Sequence, residues 1–151
     1  MKMYIESGQY LVGCGSPAGS DTDVSPMGIA QGHAYSILDV CELEGHKLIQ
    51  IRNPWGNDTE WKGAWSDGSS QWTERMKRAV YDRMEQKGLT KSIIGEKDGI
   101  FWMTLDDFMV NFDELNVCRF FSEEWVQLSY KGEWSKAKGT NGGCPNYASF
   151  P

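Results

Sequence analysis

Gly32-His33-Ala34-Tyr35-Ser36-Ile37-Leu38-Asp39-Val40, followed after a short polar break by Lys47-Leu48-Ile49-Gln50-Ile51-Arg52-Asn53, is the stretch from which the rest of the chain can be read. Both runs favour extended backbone, and Glu42-Leu43-Glu44-Gly45 between them has the composition of a turn. They predict an antiparallel hairpin. With the turn centred near Leu43, the register sets Asn53 opposite His33, and alternation puts His33, Tyr35 and Ile37 on one face with Asn53, Ile51 and Ile49. A histidine beside an asparagine suits thiol chemistry, in which imidazole takes a proton and the amide orients the ring without adding charge. Spacing alone leaves a second reading open: a histidine satisfied within a sheet and an asparagine capping the turn before Pro54.

Upstream, residues 13–32 are rich in Gly, Ser, Asp and Pro and read as a loop. Downstream, Pro54 to Gly68 holds Trp55, Trp61 and Trp65 among turn formers, which predicts an ordered loop anchored by aromatic rings. A different role for these rings, direct binding of a peptide or partner, is possible in principle, but core packing explains them more simply. From Ser70 the period changes. Trp72, Met76, Ala79, Val80 and Met84 recur every three or four residues up to Gly88, predicting an amphipathic helix over about 70–87. Gly99-Ile100-Phe101-Trp102-Met103 reads as a short strand, and Thr104-x-x-Asp107 resembles a capping box before a helix carrying Leu105, Phe108, Met109 and Phe112. A strand over about 115–121 follows, then a strand-like Trp125–Tyr130 and a Gly- and Pro-bearing tail that reads as a separate unit.

Composition narrows the function classes. The net charge is −6 and no cluster of Lys and Arg occurs, which argues against tracking nucleic-acid phosphates. No apolar run approaches the roughly 20 residues of a membrane span. The opening Met1-Lys2-Met3-Tyr4-Ile5-Glu6 has no apolar core of a secretory signal, so the expected setting is intracellular and cytoplasmic, with reduced thiols. Cys14, Cys41, Cys118 and Cys144 form no C-x-x-C pair, so zinc-ribbon and thioredoxin readings fall away; Cys118 reads as strand core and His46 as an exposed turn residue.

Five blocks, in order, carry a family likeness: Gly32-His33-Ala34-Tyr35-Ser36; Ile51-Arg52-Asn53-Pro54-Trp55-Gly56; Glu60-Trp61-Lys62-Gly63-Ala64-Trp65-Ser66-Asp67; Asp98-Gly99-Ile100-Phe101-Trp102-Met103; and Asp106-Asp107-Phe108. Together they resemble the second protease-core subdomain of calpains, papain-like cysteine proteases. The resemblance covers about residues 5–121 and implies that residues 1–121 form an α+β subdomain with twisted antiparallel β-sheet and two helices. Residues 122–151 then resemble a linker and, at Thr140-Asn141-Gly142-Gly143-Cys144, the start of the β-sandwich that follows in that family.

The likeness implies roles. His33 resembles the family's catalytic base, Asn53 the residue that orients it, and Trp55 the tryptophan that shields their bond from water. The family's nucleophilic cysteine belongs to a preceding subdomain, in a Gln-Gly-x-Leu-Gly-Asp-Cys-Trp type motif that does not occur here; Cys14 resembles a non-catalytic cysteine instead. The implied partners are therefore that N-terminal subdomain and protein substrates, with this half inactive alone. The alternative is a non-catalytic regulatory or interaction module of the same family. The likeness also implies a calcium site, with Glu60, Asp67 and Asp98 as side-chain ligands and Glu96 offering its carbonyl oxygen. Ile100 departs from that pattern, standing where a further glutamate is implied, and solvated loop carboxylates are the other reading of the same residues.

Overall fold

The computed structural model describes residues 1–88 and 94–141 and divides into two compact units, residues 1–120 and residues 121–151. The first is built on a five-stranded antiparallel sheet in the order β4-β3-β2-β1-β5. Its elements run α1 (Lys2–Glu6), β1 (Tyr10–Gly15), β2 (Ala34–Leu43), β3 (His46–Arg52), α2 (Glu74–Gln86), β4 (Ile100–Thr104), α3 (Leu105–Asn111) and β5 (Glu114–Arg119).

The sheet is covered on both faces, because β2 and β3 bury alternate residues on each side. Ile37, Val40, Ile49, Ile51, Phe101 and Met103 form one core with Val12, Cys14 and Tyr35, closed by Phe108 and Phe112 and, from α1, by Tyr4 and Ile5. Cys41, Leu48 and Trp102 form the other with Trp65, Trp72 and the apolar stripe Met76, Val80 and Met84 of α2. Thr73 caps α2 by accepting from the Met76 N–H, and Thr104 caps α3 by accepting from the Asp107 N–H. Helix α2 thus begins at Glu74, four residues later than the expected start at about 70, because Trp72 belongs to the turn before the cap.

The central hairpin differs from its expected register. Its turn is Glu44–Gly45, both at positive φ, a two-residue connection that matches strand twist. Between Ile37 and Asp39 a β-bulge shifts the pairing, so that Ile37 faces Ile51 and Ser36 faces Arg52, two residues away from a register with His33 opposite Asn53. Without the bulge, the register set at the turn would bring the exposed face of Ser36 against Asn53. The extra residue restores His33, Tyr35 and Ile37 to the Ile51 face.

Three expectations fail for identifiable reasons. Residues 13–15 are strand, not loop: Gly13 lies where a Cβ would stand 3.2 Å from the Tyr35 carbonyl oxygen, so glycine here serves close strand packing. Helix α1 was not anticipated; at five residues and without a side-chain cap it offers no periodic signal. Cys118 is in β5 as a strand residue but not in a core, since β5 is an edge strand exposed along its length, and His46 opens β3 beside the turn, exposed and 5.0 Å from the Trp65 ring. In the second unit Trp125–Tyr130 has no strand, lacking a pairing partner among the described residues. Gly142, Gly143 and Cys144 lie outside the described residues.

Candidate active site

The site stands where β2 begins and β3 ends. Asn53 follows β3 and is fully buried, held by its backbone N–H donating to the Gly99 carbonyl at 2.7 Å. Its side-chain amide has no rotational choice. Nδ2 donates to the Thr59 carbonyl at 3.1 Å, and Oδ1 accepts from the Trp55 N–H at 3.1 Å; a carbonyl can only accept and an N–H only donate, so the two ends of the amide are fixed. Oδ1 is then the atom 3.0 Å from His33 Nε2. In the neutral imidazole this forces the proton onto Nε2 and leaves the lone pair on Nδ1.

Two aromatic rings bracket the imidazole. Trp55 lies at 4.5 Å between centroids with an interplanar angle of 39°, and Tyr35 presents an edge at 4.9 Å and 84°. Trp55 is itself 40% exposed, while Asn53 beneath it is fully buried. Tyr35 is buried and accepts at its hydroxyl from the Ala30 N–H, 2.8 Å away, which ties the loop before His33 to the sheet. Tyr35, Thr59 and Gly99 were not singled out as site residues; Tyr35 and Gly99 sit inside the quoted blocks, and Thr59 carries no signal because it acts through its backbone.

Two buried cysteines, Cys14 and Cys41, are ill suited to supply a nucleophile here. Burial pushes the Cys14 thiol up to about 12 and the Cys41 thiol, with help from Asp39, up to about 11, so both stay protonated near neutrality.

Trp61 and Trp65 are core residues, 4% and 2% exposed, which removes them as exposed binding anchors. Their indole ladder fixes the loop: Trp61 Nε1 donates to the Ala64 carbonyl, Trp72 Nε1 to the Trp65 carbonyl, and Trp65 packs edge-on to Trp72 at 4.8 Å.

The loop brings acidic groups together. Glu60 accepts from the Gly99 N–H at 2.7 Å, Asp98 from the Ile100 N–H at 2.9 Å, and Asp67 Oδ2 is buried without a hydrogen-bond partner among the described residues. Burial, then the charges of Glu60 and Asp98, push the Asp67 carboxyl up to about 7; burial also raises Glu60. Glu96 is exposed in the same segment. Among the described residues, however, no group of three His, Cys, Asp or Glu side chains is gathered closely enough to hold a metal ion as it stands.

The signature of the calpain family cysteine proteases matches residues 1–119. This chain belongs to the calpain family. It is 45% identical over 98% of its length to the calpain-type cysteine protease ADL1 of Oryza sativa, and 46% identical over 93% to DEK1 of Arabidopsis thaliana, in each case spanning 6% of the relative. It is 34% identical over 92% of its length to calpain clp-4 of Caenorhabditis elegans, of which it spans 22%. The chain therefore corresponds to a small part of the curated relatives it matches. Among the described residues no helix is long and apolar enough to cross a membrane.

Proposed function

We propose that this calpain-family chain is the histidine- and asparagine-bearing half of an intracellular cysteine endopeptidase, inactive alone and completed by a subdomain that brings the nucleophilic cysteine. The observation that carries the reading is the fixed Asn53 amide with Oδ1 3.0 Å from His33 Nε2, which leaves Nδ1 as a proton acceptor. His33 Nδ1 takes the thiol proton, the thiolate attacks the peptide carbonyl, and the imidazolium gives the proton to the amine as the C–N bond breaks. Water deprotonated by the same nitrogen then cleaves the resulting thioester, and the proton returns to the sulfur. Asn53 holds the ring in the competent tautomer through both steps. Trp55 limits water at the bond, and docking of the second half over its exposed edge would complete the shield. In this reading residues 122–151 are a linker and the first part of a following β-sandwich.

The test is reconstitution. Combined with a nucleophile-bearing calpain subdomain, the chain should give thiol-dependent peptide cleavage that His33→Ala reduces by about 10²–10⁴-fold, the usual contribution of a general base. A folded pair without cleavage overturns the protease reading in favour of a non-catalytic module.

A calcium ion is the finer part of this proposal. Its support is the chemistry of the donor set: hard carboxylate oxygens at Glu60, Asp67 and Asp98, one of them buried and unpartnered, with the Glu96 carbonyl nearby in sequence. Those residues would hold the ion by turning from the N–H groups they now accept, and Ile100 contributes no ligand, so weak affinity is expected. The sign of the pH effect follows from Asp67. Its carboxyl titrates near 7 instead of 3.8, so its contribution to stability is complete below about pH 4 and lost as pH rises through 7. Millimolar calcium should therefore raise the melting temperature most above pH 7, and Asp67→Asn should reduce the pH slope, leaving the part due to Glu60, and weaken the calcium response. An unchanged melting temperature in calcium at pH 8 would sink the site.

A further inference from the structure

We infer that Ser16 is a positioning residue for His33, a role that rests on His33 acting as the base. Beyond the Gly15↔Ala34 pair, the next rung of the β1–β2 ladder joins Ser16 and His33, and it is not an ordinary backbone rung. The Ser16 N–H donates to the His33 carbonyl at 3.0 Å, as a strand residue should. The His33 N–H, however, donates to the Ser16 hydroxyl at 3.0 Å, and that hydroxyl points its own proton at the His33 carbonyl at 3.2 Å. One side chain thus stands in for a strand carbonyl.

The sequence explains the substitution. Strand β1 ends at Gly15, and with Pro17 next the chain leaves the sheet to enter the 17–32 loop, so the His33 N–H is met by the Ser16 hydroxyl instead of a strand carbonyl. The loop is re-joined one step later, where the Gly32 N–H donates to the Pro17 carbonyl at 2.7 Å. Ser16 is buried, 6% exposed, and His33 half-buried. Removing the hydroxyl would leave the His33 N–H without its acceptor at the residue whose Nε2 must meet Asn53.

Ring 15N NMR of this chain, with the imidazole neutral, reads the effect directly. His46→Gln assigns the signals to His33. In the parent protein the two His33 ring nitrogens should be well separated, protonated at Nε2 and unprotonated at Nδ1. Ser16→Ala should collapse that separation toward the average of two exchanging tautomers, and Ser16→Thr, which keeps the hydroxyl, should restore it. General loss of stability does not by itself move a tautomer ratio in the folded state. Asn53→Ala separates the two claims. If it leaves the nitrogens separate, the His–Asn reading fails; if it collapses them while folded Ser16→Ala does not, only the positioning role is overturned. Should Ser16→Ala not fold, Ser16→Cys takes its place, and amide exchange in the parent chain decides independently: slow exchange of the His33 N–H supports the clamp, and exchange as fast as a free strand end refutes it.

Discussion

Replacing Asp39 with alanine should lower the free energy of unfolding by about 3–5 kcal/mol, the usual cost of removing one partner from a buried ion cluster. Asp39 is fully buried beneath α2, with Lys87 Nζ 2.7 Å from Oδ1 and Arg83 Nε 3.2 Å from Oδ2. Arg83 reaches further, donating to the Val40 carbonyl at 2.9 Å and to Glu6 at 3.2 Å, so one guanidinium joins α2 to β2 and to α1. Without the carboxylate two cations face each other over a vacated space. Both cationic side chains are a quarter exposed and can turn toward water, which argues for the lower end of the range. Domains of this size have roughly 5–15 kcal/mol of stability in total, so the loss is large. Urea denaturation measures it; a cost below about 1 kcal/mol would mean that α2 is held by its apolar stripe alone.

Gly28→Ala is expected to cost roughly 2–5 kcal/mol, from overpacking of about 1–3 together with about 1–2 for a side chain in the left-handed region. At φ +88°, an added Cβ would lie 1.9 Å from the Glu60 carbonyl oxygen and 2.9 Å from its carbon, both of them backbone atoms that cannot swing aside. The contact matters because this is where the loop before His33 rests on the tryptophan loop, with the Lys62 N–H donating to the Met27 carbonyl at 2.9 Å. Separation of the two loops should expose Trp61 and shift its emission to longer wavelength. Gly68→Ala, where nothing lies within 4 Å of the added carbon, is the control. Equal melting temperatures for the two variants would show that the loop contact yields freely.

Much of the fold is legible in the sequence where one local signal dominates. The four-residue spacing of Met76, Val80 and Met84, one helical face, marks α2, and Thr104 three residues before Asp107 marks the start of α3. Legibility ends where a local signal has two causes. Gly13 and Gly15 look like loop residues, yet they are strand positions at which the neighbouring chain comes close. The bulge after Ile37 carries no Gly or Pro to mark it in Ala34-Tyr35-Ser36-Ile37-Leu38-Asp39-Val40, so the register of the hairpin could be read only to within a residue or two. At the site, the sequence brings His33 and Asn53 to the same end of one hairpin, but not the atoms that orient them. Those belong to Thr59, Trp55 and Ser16 through backbone groups or a single hydroxyl, which composition cannot reveal.

The bulged hairpin has a consequence for the order of assembly. His33 and Asn53 are only twenty positions apart, joined by a tight turn, so their encounter requires closing a short loop rather than bringing distant segments of chain together. Contacts of this kind form early in folding. In the proposed two-part enzyme the imidazole and its amide would already be matched before the other half arrives, and association would then have to deliver a single sulfur atom to a waiting nitrogen, a docking problem and not a folding one.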